Sequence, residues 1–164
     1  MRPAALPDAG AIAQIYNQGI EERIATFETE MRSADQVASR IAESDRYPMV
    51  VAERGGQVIA WAATSEYRPR ECYAGIAEFS IYTARHARGT GAGKAALAEL
   101  LRVAEAHGFW KLASRIFPEN MPSRALCRSL GFREVGFYRR HARLDSRWKD
   151  VVIVEKLLGE ASEP

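Results

Sequence analysis

Arg85-His86-Ala87-Arg88-Gly89-Thr90-Gly91-Ala92-Gly93-Lys94 is the stretch on which the fold turns. It follows a strand-like run, Ala77 to Thr83, and opens a helix pattern from Lys94 to His107. Three glycines at alternate positions let the backbone bend sharply and come close to a ligand. The first N–H groups of the helix have no partner inside it, and the helix dipole favours an anion in front of them. Arg88 and Lys94 add positive charge. Strand, glycine loop and helix start in that order predict a phosphate or pyrophosphate site.

Two familiar phosphate loops fail on spacing. A P-loop needs glycine, four residues, then Gly-Lys-Ser/Thr; here Arg88 fills the first position and Ala95 follows Lys94. A dinucleotide fingerprint needs Gly-x-Gly-x-x-Gly early in a βαβ unit. Gly89, Gly91 and Gly93 are spaced Gly-x-Gly-x-Gly in mid-chain instead. A glycine-rich connection with no ligand is the plain alternative, but the strand before, the helix after and the two cations agree with a site.

Outward from the loop, the rest of the chain reads as short elements. Pro7 to Gly19 carries Ala11, Ile12, Ile15 and Tyr16 at helical spacing, and Gly19 suits its end. Ser33-Ala34-Asp35-Gln36 is a capping box opening a helix to about Glu43. Met49 to Ala52 and Val58 to Thr64 read as strands joined by an Arg54-Gly55-Gly56-Gln57 turn. Ser65 to Tyr73 is a polar loop. After the Lys94 to His107 helix, closed by Gly108, come a strand at Leu112 to Phe117 and a short helix at Pro122 to Leu130 closed by Gly131. Two strands follow, near Arg133 to His141 and Arg147 to Leu158. The order predicts a mixed α/β (α+β) sheet with helices on its faces. A full doubly wound sheet would need more βα units.

The 164 residues and net charge of +2 suit one globular domain, placed at residues 1–158, with a flexible tail at 159–164. The small charge argues against a nucleic-acid partner. No apolar run approaches the roughly 20 residues of a membrane span. Cys72 and Cys127 match neither a disulfide framework nor a zinc pattern, and His86, His107 and His141 sit on separate elements, so no metal is expected. A reduced, cytoplasmic setting is the simplest reading. Trp61, Trp110 and Trp148 read as core or dimer-interface aromatics.

Arg88-Gly89-Thr90-Gly91-Ala92-Gly93 resembles the Arg/Gln-x-x-Gly-x-Gly/Ala loop of the GNAT acyltransferases. Asn120-Met121-Pro122-Ser123 and Leu130-Gly131-Phe132 resemble that family's second motif. The resemblance covers nearly the whole chain. It implies a mostly antiparallel mixed sheet and acetyl-CoA as co-substrate. The pyrophosphate is then held by Arg88, Gly89, Thr90, Gly91, Ala92, Gly93 and Lys94, and the pantetheine arm lies along Ile81, Tyr82 and Thr83 with Asn120 and Ser123 beside it. Tyr16-Asn17, Thr26-Phe27-Glu28, Tyr67 to Tyr73, Glu78 to Tyr82 and Arg147 to Val151 are similar to the phosphinothricin acetyltransferases. The Tyr67 to Tyr82 stretch is similar to arsinothricin N-acetyltransferases.

An ammonium has no lone pair, so acetyl transfer to an amine needs a base. Glu78 is the candidate catalytic residue; a solvent-facing glutamate or a salt-bridge partner is the alternative. Arg68, Arg70 and Tyr73 are candidate acceptor-binding residues, since guanidinium forks suit carboxylates and phosphinate-like oxyanions; a solvated loop is the alternative. Phe27 reads as an apolar wall of the acceptor site or as core. Cys127 stands where many GNAT enzymes place a tyrosine and reads as a proton donor or a small buried residue. Arg139 to Arg143 contacts the CoA 3′-phosphate, a partner subunit or water. The resulting expectation is a homodimeric N-acetyltransferase for a small acidic amino-acid analogue of the phosphinothricin, arsinothricin or methionine sulfoximine type. An acetyltransferase for another amine or a protein N-terminus, or a non-catalytic acyl-CoA sensor, stands beside it.

Overall fold

A computed structural model describes residues 1–163; Pro164, the end of the expected tail, lies outside the described residues. The chain forms β1 (Arg2–Pro3), α1 (Ala9–Glu22), α2 (Ala34–Ala42), β2 (Met49–Arg54), β3 (Gln57–Glu66) and β4 (Ile76–Thr83). It continues with α3 (Ala92–Ala106), β5 (Lys111–Ile116), α4 (Met121–Ser129), β6 (Arg133–Leu144) and β7 (Arg147–Leu157). A short 3-10 turn, Gly159–Ser162, stands where the tail was expected. Among the described residues, the seven strands make one sheet in the order β1-β2-β3-β4-β5-β7-β6. The β4–β5 pair is parallel and the others are antiparallel. This is the mixed, mostly antiparallel sheet expected.

Local chemistry explains most boundaries. Ser33 Oγ accepts from the Gln36 N–H at 3.2 Å, and Gln36 Oε1 accepts from the Ser33 N–H at 3.0 Å, so the capping box forms. Gly55 and Gly56 have φ of +58° and +77°, as the tight β2–β3 hairpin requires. Asp145 and Ser146 make the equivalent β6–β7 turn without glycine, at φ of +48° and +65°. With no glycine to mark that turn, the strand was expected to end near His141, whereas β6 runs on to Leu144.

The two faces of β4 divide the molecule. Glu78, Ser80 and Tyr82 share one face. Trp61 of β3 stands opposite Tyr82, its ring stacked at 5.0 Å, and Tyr16 of α1 meets both rings edge-on. Phe79 and Thr83 face the other side, toward Phe132 at a ring distance of 4.8 Å and toward Gly93 of α3. Helices α1 and α2 therefore cover one face, and α3 and α4 the other. Leu97, Leu100, Leu101 and Ala104 of α3 are buried on that second face.

Helix α1 does not stop at Gly19. It continues to Glu22 and ends at Arg23, which adopts φ +59° and donates from its guanidinium to the Ile20 carbonyl at 2.8 Å. Gly19 is present for packing: a Cβ there would lie 2.6 Å from Cε1 of Tyr82. Tyr82 is wedged between Tyr16 and Trp61 and has nowhere to retreat. Overpacking costs about 1–3 kcal/mol, against a helix-propensity gain of at most about 1 kcal/mol for Gly→Ala. Gly19→Ala is thus expected to lower the urea midpoint at unchanged m-value. Gly10→Ala, on the same helix with nothing within 4 Å, is not.

Candidate active site

Parallel pairing of β4 and β5 lasts three rungs: Ile76 with Lys111, Ala77 with Leu112 and Glu78 with Ala113. Beyond Glu78 the strands splay into a V. The β4 edge facing the gap is left unpaired by β5, and a cleft of about 290 Å³ opens there. Glu78, Ile81 and Tyr82 line it from β4, Arg115 and Phe117 from β5 and its exit, and Asn120 and Ser123 from the start of α4.

Glu78 stands at the vertex, half-buried, and its carboxylate is ion-paired with the Arg115 guanidinium. Parity explains the pairing. Glu78 is level with Ala113, so Arg115, two residues on, shares its face. The salt-bridge alternative expected for Glu78 is present, at a position that lines the cleft. Phe27 lines the cleft edge-on to Phe117 at 4.8 Å, which makes it an apolar wall. Tyr82 is half-buried, and loss of water around its phenol pushes the pKa up.

Past Thr83 the chain turns into the glycine loop. Gly89 and Gly91 take φ of +73° and +85°, the left-handed region that glycine occupies without strain. Gly93 lies so close to Thr83 that a Cβ would fall 2.7 Å from its Oγ1. Among the described residues, the amide N–H groups of residues 89–94 meet no backbone acceptor, and the first bond is Ala95 N to Gly91 O at 2.9 Å. Successive free amides, with Thr90, Ala92 and Lys94 among them, at the start of a long helix form an anion cradle. Lys94 is exposed and makes no ion pair among the described residues. Arg88 is tied back to Glu22 at 2.9 Å, and Arg85 also grips Glu22 at 2.7 Å. Partial burial works to raise the pKa of Glu22, but these bonds outweigh it and hold the carboxyl below its usual value. The loop is thereby anchored to α1, and the amides and Lys94 remain to meet an anion.

Asn120 caps α4 by accepting from the Ser123 N–H at 3.2 Å, and its amide donates to the Ile24 carbonyl at 3.1 Å. It positions Ser123 on the cleft wall. Cys127 is buried and does not line the cleft; burial pushes its thiol up to about 12. Of the two readings, the small buried residue is the one the structure supports.

Arg68, Arg70 and Tyr73 do not line the cleft. They form a cluster of their own, with Arg68 over Tyr67 at 5.2 Å and Arg70 over Tyr73 at 5.9 Å. Two guanidinium forks one residue apart suggested a site role, but the loop folds onto its own tyrosines. Arg115 and His141 are among the cleft residues that the sequence does not single out as site residues. Arg115 could be found only by knowing that β5 lies parallel to β4. His141 reaches the cleft because β6 bulges between Tyr138 and Ala142, with Arg140 at φ +48°. Its ring lies 6.3 Å from Phe27. Arg139, Arg140 and Arg143 are exposed, and Arg143 sits over Trp148 at 4.4 Å.

Comparison with known proteins agrees with this geometry. The family model described as acetyltransferase (GNAT) family matches residues 12–132. An L-methionine sulfoximine/L-methionine sulfone acetyltransferase of Pseudomonas paraeruginosa is 30% identical over 158 residues, 94% of this chain and 92% of that one. The crystal structure of a GNAT superfamily phosphinothricin acetyltransferase from Sinorhizobium meliloti, in complex with acetyl-CoA, superposes with a TM-score of 0.90 at 35% identity, covering 98% of this chain and 89% of that one. A ribosomal-protein-alanine N-acetyltransferase from Brucella melitensis superposes with a TM-score of 0.91 at 33% identity, covering 96% and 98%.

Proposed function

The chain belongs to the GNAT acetyltransferase family, and from that premise we propose that it acetylates the α-amine of a small acidic amino-acid analogue, using acetyl-CoA. The observation that carries this reading is the Glu78–Arg115 pair at the vertex of the splayed strands. A free amino acid carries an ammonium and a carboxylate on one carbon. The pair offers one group for each: a carboxylate to take the proton from the amine and a guanidinium fork to hold the acid. Arg115 thus takes the recognition role first expected of Arg68 and Arg70.

The residues present fit the co-substrate. The free amides of residues 89–94 and Lys94 suit a pyrophosphate. The unpaired edge of β4 along Ile81 and Tyr82 suits an amide-bearing arm, and Ser123 flanks the same gap. The five residue steps from Glu78 to Thr83 span roughly 17 Å of strand, which asks for a long linear arm between the anionic and reactive ends. When bound, acetyl-CoA supplies an acetyl thioester. Glu78 accepts the amine proton, Arg115 orients the acceptor, and Phe27 and Phe117 close its apolar side. Cys127 takes no part in proton transfer.

Phosphinothricin, methionine sulfoximine and arsinothricin are the acceptors we propose. The names of the relatives support the first two, and the Tyr67 to Tyr82 similarity supports the third. A homodimer in the cytoplasm completes the proposal; the exposed Val135, Phe137, Tyr138 and Trp148 on β6 and β7 suit contact with a second copy. The test is release of free thiol from acetyl-CoA with these analogues, ordinary amino acids and an alanine-terminated peptide. Saturable turnover is expected with the acidic analogues. Turnover on the peptide alone would move the function to protein N-termini, and acetyl-CoA binding without turnover would make the chain a sensor.

A further inference from the structure

A second cavity of about 260 Å³ lies between α1, α2 and the sheet, sharing Tyr16 and Glu28 with the active cleft. Arg32, Gln36 and Arg40 line it, and Trp61 forms part of its wall. Two of these polar groups are already engaged. Arg32 pairs with Glu28 at 3.0 Å, and Gln36 closes the capping box of α2.

Arg40 and Trp61 are not so occupied. Among the described residues Arg40 has no carboxylate within ion-pair distance. Its hydrogen bond to the Thr64 carbonyl is long, at 3.4 Å. A guanidinium carries five N–H donors, so most of its capacity is unspent. Burial holds its pKa below the usual arginine value, with Tyr16, Tyr82 and Glu43 working the other way: the cation is half-buried and no carboxylate is bonded to it. Trp61 is 2% exposed, and its indole Nε1–H has no partner among the described residues. A buried unsatisfied donor costs about 1–3 kcal/mol. Water would satisfy the donors but not the charge. The cavity is many times the roughly 30 Å³ share of one water, so a small organic molecule has room.

We propose that this cavity is a subsite for a small organic carboxylate, held by the fork of Arg40 with the Trp61 indole N–H as a neutral donor. The carboxylate has two possible sources. It is the distal acid of an acceptor reaching past Tyr16, which rests on the acetyl-transfer reading above, or it is a separate free anion.

Malonate is the probe, added to the whole protein with no acetyl-CoA, so the result does not depend on turnover. In a ¹⁵N–¹H spectrum the Trp61 indole peak, identified by its loss in Trp61→Phe, is expected to move with saturation as malonate is added. The thermal midpoint is expected to rise in parallel. Arg40→Gln should weaken malonate binding at least about tenfold, the effect of losing about 1.4 kcal/mol. Arg40→Lys, which keeps the charge and loses the fork, should fall between. An unmoved indole peak and midpoint in the wild-type chain, or malonate binding to Arg40→Gln as tightly as to wild type, overturns the proposal. The source follows from kinetics. If Arg40→Gln raises KM for acidic acceptors but not for methionine sulfone, the anion is the acceptor's own. If both KM values hold while malonate binding is lost, the anion is separate.

Discussion

Replacing Glu78 with glutamine is expected to lower kcat by about 10²–10⁴-fold, the range a positioned general base contributes, and to leave the affinity for acetyl-CoA unchanged. The separation follows from distance along β4. Glu78 stands at the vertex with Ala113, and the anion cradle begins at Gly89 beyond the far end of the strand. Glutamine keeps the shape and one acceptor oxygen for Arg115, so the cleft is not remodelled. Unfolding does not explain a loss of this size. The Glu78 and Arg115 side chains are 29% and 40% exposed, and ion pairs so open to water contribute about 0–1 kcal/mol to stability. Arg115→Met is expected to give the complementary result: KM for the acceptor rises while KM for acetyl-CoA does not, because the guanidinium lies at the Glu78 vertex and away from the anion cradle. Steady-state kinetics with both substrates varied distinguish the two variants. A Glu78→Gln enzyme with full kcat removes Glu78 from proton transfer and leaves it a salt-bridge partner.

These two residues show where the sequence was legible and where it was not. The glycine loop could be read because its demands are local. Gly89 and Gly91 hold positive φ, and the strand and helix that flank them announce themselves by pattern. Glu78 was visible through its distance from that loop. Arg115 was invisible because its meaning depends on a non-local fact, the parallel placement of β5 beside β4, which no periodicity encodes. The same holds for β1, two residues long and recognisable only by its pairing with Val50 and Val51. His141 was hidden by a bulge that contains no glycine. Gly19 was visible but misread, since a glycine late in a helix signals a stop as readily as the close approach of Tyr82. Local backbone chemistry was thus readable and cross-strand company was not, so the cofactor half of the site stood out before the acceptor half.

Gly91→Val tests that cofactor half. Gly91 precedes the first residue of α3 at φ +85°, and a Cβ there would meet nothing within 4 Å. Steric clash with the protein is therefore absent, and the whole effect lies in the backbone. A β-branched residue held in this region costs about 1–3 kcal/mol. The exposed loop of the free protein escapes that cost by relaxing to negative φ, so stability changes little. Relaxation turns the amides of residues 89–94 out of their common direction. Binding a pyrophosphate must restore them, and the strain then appears in the affinity. At tenfold per 1.4 kcal/mol, the Kd for acetyl-CoA is expected to rise about 5–150-fold. S-acetyl-pantetheine, which carries the thioester and arm but no pyrophosphate, supplies the control. Its kcat/KM should be the same in Gly91→Val and wild type, so the advantage of acetyl-CoA over the short donor collapses. An equal loss with both donors would mean that the substitution disturbs the strand edge rather than the loop. Unchanged affinity for acetyl-CoA would mean that the amides of residues 89–94 do not hold the pyrophosphate.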